Sequence, residues 1–439
     1  MARKPRTHTH KMDAMTRLYI ILALIIAGAF SAAAQTSRAA DTMTGVFDGR
    51  TRTLQATVDG NPFAPLILFA GTPDRLIVSF DRLAEDREYF RYSLEHCNAR
   101  WQPSGLVDSE FIDGFNEASV DDYEFSRGTT THYVNYRLSV PDERMRPLIS
   151  GNYLLKIYPE DNHDAPVAQV RFSICENTAP VIGADVSAAT DKGFRNRFQQ
   201  VNFDVDTERA AVDDPFNDLF VTVSQNGRLD NETAVSVPLR VQGARAVFEH
   251  KPELIFNAGN EYRRFEVINT QYPTMGVESI EYADPFYHMN LYTDAPRADV
   301  QYLYDSTQHG RFRIREYNSD ESDTEADYVV VHFALDAPEL GPDAAVFIDG
   351  DLTYRRFDDA SRMYFNPATG LFERAMLLKQ GAYNYQYLTV APGARSGATA
   401  PVEGDKWQTV NEYIIKVYHR RRGERYDRLI GTGAAISDH

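Results

Sequence analysis

The chain has 439 residues, more than a single hydrophobic core usually organises, so two to four domains are expected. Hydrophobic residues make up 43% of it and aromatic residues 12%, which excludes an intrinsically disordered chain. The formal net charge of −17 argues against a nucleic-acid partner or an anionic membrane surface. Tyr and Phe, with 25 residues each, favour an all-β class.

The first 34 residues have the pattern of a cleaved signal peptide. A basic start (Arg3–Arg17) precedes an apolar run (Leu18–Phe30), and small residues offer a cleavage site before Gln35. The run of 13 residues is too short to span a bilayer comfortably. Cleavage of residues 1–34 would take away five positive charges and one negative charge, which leaves a mature net charge of −21. We therefore expect an exported, periplasmic chain without membrane insertion.

Residues 35–178 are predicted to form a first β-sandwich. Apolar runs and alternating stretches between Phe47 and Glu176 indicate roughly seven strands, as in immunoglobulin-like domains. The stretch Tyr133–Val140 alternates well and ends at a proline, as a strand does. A long polar loop, Asp108–Thr131, interrupts the pattern.

Two further β-sandwiches are predicted, at residues 179–295 and 296–439, with Asn177–Pro180 as the first linker. In the last one, a short apolar strand runs into an Asp-Gly turn at Asp349, and in this it resembles an E-set module. The stretch Gly381–Tyr387 then places three tyrosines at alternate positions, on one face of a strand. Such a stripe is typical of core packing, and it could also form a carbohydrate platform or a protein interface.

Motifs for catalysis or cofactor binding are missing from the sequence. The histidines are scattered without zinc spacing, and no nucleophile or phosphate-loop signature is present. The acidic run Asp320–Asp327 is out of register for a calcium loop, so we expect a solvated hairpin loop there. The sequence therefore predicts a non-enzymatic protein with no cofactor, no metal and no catalytic residue.

Two other features carry open alternatives. Cys97 and Cys175 both fall in the first predicted domain, so they could form a disulfide or remain buried thiols. Arg420–Arg422 make a basic patch in an acidic chain, either as a solvated strand end or as an electrostatic contact with an acidic partner. The stretch Asp41–Met43 also fits a short glycosylation pattern centred on Thr42.

Short motifs occur along almost the whole mature chain, in the order Tyr92–Ser104, Glu110–Phe115, Ser150–Lys156, Gln225–Asn231, Gly259–Phe265, Leu378–Tyr385 and Arg425–Gly431. In sequence and in order, these motifs resemble the plug protein family of the type IX secretion system. One departure is Leu229, where an aromatic residue is expected.

The resemblance implies a periplasmic protein that associates with the outer membrane through a partner, the giant translocon β-barrel. The family is thought to fill the periplasmic mouth of that barrel when no cargo occupies it, by steric occlusion. Because transient interfaces use aromatic and arginine anchors, we expect the long loop or the basic strand end to touch the barrel. The candidate contact residues are Tyr123, Phe125, Arg127, Arg420, Arg421 and Arg422. The alternative function is a periplasmic glycan-binding protein that uses the E-set-type domain.

Overall fold

The computed structural model describes residues 42–190, 193 and 196–437. The predicted signal peptide lies outside these residues. The chain from Thr42 onward is one compact unit, built almost entirely of β-strands. The predicted all-β class with sandwich domains is confirmed.

The first sandwich contains a six-stranded sheet (order β1-β12-β11-β5-β7, with β3 on β12) and a four-stranded sheet (order β2-β4-β9-β8). A short helix, α1 (Asp108–Phe111), and the two-stranded β6–β10 ladder close one end. Buried aliphatic and aromatic side chains fill the space between the sheets. The strands are β1 Gly45–Val46, β2 Thr51–Val58, β3 Ile67–Phe69, β4 Leu76–Arg82, β5 Phe90–Cys97, β6 Ile112–Gly114, β7 Ala118–Ser119, β8 Asp122–Phe125, β9 Val134–Val140, β10 Met145–Pro147, β11 Gly151–Pro159 and β12 Ala168–Cys175.

The remaining strands form two sandwiches, one inserted into the other. In chain order they are β13 Val181–Ala188, β14 Phe198–Asp206, β15 Leu219–Gln225, β16 Thr233–Val235, β17 Arg240–Gln242, β18 Arg245–Phe248, β19 Ile255–Asn257, β20 Arg263–Glu266, β21 Val277–Ala283, β22 Phe286–Leu291, β23 Phe312–Ile314, β24 Tyr328–Leu335, β25 Val346–Asp349, β26 Arg362–Asn366, β27 Leu371–Lys379, β28 Gly381–Thr389, β29 Glu412–His419 and β30 Arg428–Ile436. The helix α2 (Ser322–Glu325) precedes β24, and 3-10 turns occur at Pro252–Leu254, Pro338–Leu340 and Asp351–Thr353.

The last two strands belong to the second sandwich. β29 pairs antiparallel with β15 over seven residues, from Leu219 opposite His419 to Gln225 opposite Tyr413. The second sandwich therefore consists of β13–β19 with β29 and β30, around a core that includes Val221 and Ile415. The predicted boundaries 179–295 and 296–439 are wrong in this respect, because strand pairing between distant segments is not visible in a local pattern.

The third sandwich lies between β19 and β29 in the chain. Its nine strands form one sheet in the order β20-β28-β25-β26-β27-β24-β22-β21, with β23 on β28. The sheet folds onto itself, since Phe265 of β20 contacts Phe333 of β24 at 5.4 Å between ring centroids although four strands separate them in that order. This closure buries the core of the third sandwich.

The two cysteines are buried and unbridged. Cys97 ends β5 and Cys175 ends β12, and β11 pairs with both strands and lies between them. Two ladder spacings separate them by about 10 Å, whereas a disulfide needs Cα atoms within about 7 Å. Of the two alternatives left open by the sequence, the sheet order therefore excludes the disulfide, and the cysteines are buried thiols.

We expect Gly431→Ala to destabilise the second sandwich by at least about 2 kcal/mol, as overpacked cores do. A Cβ at Gly431 would lie 1.7 Å from the carbonyl oxygen of Ala179, so β30 could not keep its approach to the start of β13. Urea denaturation measures the change. Gly49→Ala is the control, because a Cβ there meets no atom of the described residues within 4 Å. Equal stability of the two variants would contradict the prediction.

Candidate partner-binding surface

Residues of three motifs meet where the first sandwich contacts the second. The buried ring of His96 lies 5.5 Å from that of Tyr426, measured between centroids. Asp427 accepts a hydrogen bond from the backbone N–H of Ala99 at 2.9 Å. A Cβ on Gly151 would lie 2.5 Å from His96 Nε2, so this position requires glycine. These motif residues therefore hold two sandwiches together.

A buried ion pair joins the first sandwich to the third. Lys379 Nζ donates to Asp81 Oδ2 at 2.6 Å, and both side chains are at most 1% exposed. Asp81 also accepts hydrogen bonds from Tyr328 and Asn135, each at 2.7 Å. Burial lowers the pKa of Lys379 and Asp81 opposes that shift. Lys379 belongs to the Leu378–Tyr385 motif, so this motif too is explained by an interdomain contact.

The second and third sandwiches are joined at the Gln225–Asn231 motif. Arg228 Nη2 donates to the carbonyl oxygen of Gly397 at 2.9 Å, and Asp230 accepts from the N–H of the same glycine at 2.9 Å. The two side chains also pair with each other at 2.6 Å, and both are about 5% exposed. The position Leu229 lies between them in sequence, and nothing in the structure requires an aromatic residue there.

The tyrosine stripe of β28 faces the core of the third sandwich. Tyr383, Tyr385 and Tyr387 are 2%, 4% and 0% exposed. The hydroxyls of the last two donate to the same oxygen of Asp294, at 2.6 and 2.8 Å. A carbohydrate platform made of these rings is therefore excluded, and the glycan-binding alternative loses one of the two features on which it rested.

The sequence predicted a solvated hairpin loop at the acidic run Asp320–Asp327, and this prediction is wrong. The run contains α2 and packs against the first sandwich, where Asp327 accepts hydrogen bonds from the N–H groups of Thr130 and Thr131 at 2.8 and 3.1 Å. Within the described part of the chain, no group of three or more His, Cys, Asp or Glu side chains is arranged to hold a metal ion.

Among the predicted contact residues of the loop, Arg127 forms hydrogen bonds within the protein itself. Its backbone N–H and its guanidinium both donate to Thr324 of α2, at 2.9 and 3.3 Å. Tyr123 and Phe125 lie on β8, the last strand of its sheet, and Phe125 is 47% exposed. The loop that the sequence treated as one contact region is thus divided between an internal joint and an open edge strand.

The basic strand end and the start of the long loop form one surface. Arg425 of the β29–β30 turn donates to Glu110 of α1 at 2.8 Å and to the carbonyl oxygen of Gly105 at 3.0 Å. Next to α1, the N–H of Leu148 donates to the carbonyl oxygen of Phe111 at 2.9 Å. The sequence offered these regions as alternatives, whereas the structure brings them together.

We call this region the tip surface and define it by Val107, Phe115, Leu148, Arg421 and Arg422. The three apolar side chains are 61%, 79% and 56% exposed. Among the described residues, neither arginine side chain has an ion-pair partner, whereas neighbouring Arg420 pairs with Asp427 at 2.7 Å. The Arg425–Glu110 pair joins the β29–β30 turn, which carries the two arginines, to α1. Exposed hydrophobic side chains mark interaction sites, and arginine is enriched in protein interfaces.

Comparison with known proteins agrees with the fold and with the motifs. The profile of the family described as "Type 9 secretion system plug protein 1st domain" matches residues 51–176. The crystal structure of a hypothetical protein from Parabacteroides merdae ATCC 43184 is 39% identical, covers 90% of this chain and 99% of its own, and superposes with a TM-score of 0.87. The chain belongs to the type 9 secretion system plug protein family.

Other comparisons add nothing to this assignment. The Pseudomonas fluorescens alkylpurine DNA glycosylase AlkC is 8% identical over 28% of this chain and 30% of its own, and its TM-score of 0.16 carries no argument. No curated protein sequence matches the chain.

Within the described residues, no helix is long and apolar enough to span a membrane. Membership of the plug family indicates a role in type 9 secretion and a place in the cell envelope.

Proposed function

We propose that the protein is a non-enzymatic subunit that binds the outer-membrane translocon β-barrel and fills its periplasmic opening while cargo is absent. It would be exported through a cleaved signal peptide and remain peripheral to the outer membrane. The action is steric occlusion and exchange, so no bond is made or broken. The observation that carries the proposal is the tip surface, taken together with membership of the plug family.

A plug that must leave again needs an interface of moderate size with a few strong anchors. The tip surface offers Phe115, which is 79% exposed, as an aromatic anchor. Arg421 and Arg422 would add electrostatic attraction and a faster association in a chain that is otherwise acidic. The contacts between the three sandwiches fix the position of the tip surface relative to the rest of the protein. Its side chains are therefore presented for binding in one arrangement.

We expect the tagged protein, purified from gently solubilised outer membranes, to bring down one very large β-barrel protein in near-equal amount. Mass spectrometry identifies what is recovered. We expect Phe115→Asp, and separately Arg421→Glu with Arg422→Glu, to lower the recovery of the barrel about tenfold or more, as loss of an interface anchor does.

Two matched controls show whether the effect belongs to the tip surface. Leu303→Asp changes an apolar side chain that is 81% exposed elsewhere. Arg209→Glu with Arg395→Glu makes the same change of charge at two exposed arginines in other parts of the chain. Recovery of no barrel by the unmodified protein would refute the proposed function. Equal recovery by the tip variants and the controls would refute the tip surface as its interface.

A further inference from the structure

The strand β8 has an open edge that can accept another strand. It pairs with β9 alone, and in the described part of the chain no strand lies on its other side. The N–H of Ser126 donates to the carbonyl oxygen of Tyr133 at 2.8 Å, which sets the alternation of the antiparallel ladder. By this alternation, the backbone groups of Asp122 and Glu124 face β9, whereas those of Tyr123 and Phe125 point away from the sheet.

One side of this edge is aromatic and already ordered. The rings of Tyr123 and Phe125 are 5.8 Å apart between centroids. The guanidinium of Arg87 lies 4.2 Å from the ring of Tyr123 and 4.6 Å from that of Tyr89, which is 60% exposed. The Arg87 Nε atom is buried, and no described residue accepts its hydrogen. These packed groups offer a largely aromatic contact surface that has little conformational entropy left to lose.

The other side of the edge is acidic. A cleft of about 290 Å³ lies between the outer face of this sheet and the region around α2. Its basic members are Arg137, which pairs with Asp323 at 2.6 Å, and Arg313. Five acidic side chains line the cleft, three more than the basic ones. They are Asp122, Glu124, Asp320, Glu321 and Asp323.

We infer that β8 is a strand-addition site for an extended protein segment whose side chains alternate between cationic and apolar. Such a segment would pair with the outward backbone groups of Tyr123 and Phe125, which is the usual mode of β-augmentation. Since successive side chains of a strand point to opposite faces, one set would enter the acidic cleft and the other would rest beside Tyr89 and Phe125. A second copy fits poorly, because β8 against β8 would place Asp122 and Glu124 opposite like charges.

The test uses the full mature chain and a labelled heptapeptide, Lys-Phe-Lys-Val-Lys-Phe-Lys, with binding followed by fluorescence anisotropy. We expect saturable binding that weakens as salt is added. Asp122→Lys with Glu124→Lys should weaken it about tenfold or more, because like charges then face each other. Peptides of the same sequence in which every internal backbone amide is N-methylated cannot donate hydrogen bonds to the ladder from either edge, and they should not bind.

Asp161→Lys with Asp164→Lys is the matched control, since it makes the same change of charge at exposed acidic residues in the β11–β12 turn. It should bind the peptide nearly as the unmodified chain does. Absence of saturable binding, equal weakening by the control, or full binding of the methylated peptides would each overturn the inference. A dimer in sedimentation that dissociates in Phe125→Asp would overturn it in favour of a second copy.

Discussion

We expect Asp81→Ala to lower the free energy of unfolding by about 3–5 kcal/mol, because it leaves a buried ammonium group without its counter-charge. The side chain of Lys379 is 1% exposed, and it also donates a hydrogen bond to the backbone carbonyl of Asp323. The substitution also removes the acceptor of Tyr328 and Asn135. The change is measured from the midpoint and slope of urea unfolding followed by circular dichroism.

Asp113→Ala is the control for this prediction. Its carboxylate pairs with Arg146 at 2.5 Å, but both side chains are more than half exposed. Solvent screens such a pair, so we expect a loss of less than about 1 kcal/mol. A similar, small loss in both variants would show that Lys379 finds another counter-charge or water, and that the ion pair does not hold the first and third sandwiches together.

The second large effect is expected at Glu403, whose side chain is fully buried. It accepts hydrogen bonds from Arg263 at 3.0 Å, from Arg297 at 2.8 Å and from the backbone N–H of Tyr387 at 2.9 Å. We expect Glu403→Gln to cost about 3–5 kcal/mol at pH 7, because it leaves the buried guanidinium of Arg263 with one carboxylate instead of two. Urea unfolding measures this loss as well.

The pH dependence identifies the charge as the cause. Burial alone would raise the pKa of Glu403, but Arg263 and Arg297 outweigh it and hold the pKa below its ordinary value of 4.5. The ionised group therefore contributes its full stability above pH 4.5, and loses that contribution as the pH falls through its folded pKa. We expect the difference between the unmodified chain and Glu403→Gln to shrink below pH 4.5.

The exposed pair Arg240–Glu249 provides the matched variant, Glu249→Gln, whose loss should stay below about 1 kcal/mol at every pH. A gap between the unmodified chain and Glu403→Gln that stays constant from pH 7 to pH 3 would contradict the electrostatic explanation.

Both predictions concern residues that lie within the sequence motifs or contact them. The motifs therefore have a structural role. Lys379 and Arg263 lie within motifs, and each is bound to a buried carboxylate from a distant segment. The motifs therefore specify how the sandwiches are built and joined. The surfaces that remain open for partners, the tip surface and the edge of β8, lie for the most part beside the motifs.

The all-β class could be predicted from the aromatic content and the period-two alternation of the chain, and the ordered motifs pointed to the family. These signals are local, so they survive without knowledge of which strands pair. The alternation correctly placed Tyr383, Tyr385 and Tyr387 on one face of a strand. It could not show whether that face meets the core or the solvent.

Features that depend on pairing between distant strands became visible in the folded structure. It assigned β29 and β30 to the second sandwich, because β15 offered a seven-residue ladder and a shared apolar core. It separated Cys97 from Cys175 by inserting β11 between their strands. It also placed Arg425 against Glu110, 315 positions apart, which created the tip surface. Contacts between residues that are far apart in sequence contribute free energy only when the chain packs in three dimensions. A local sequence pattern therefore cannot predict them.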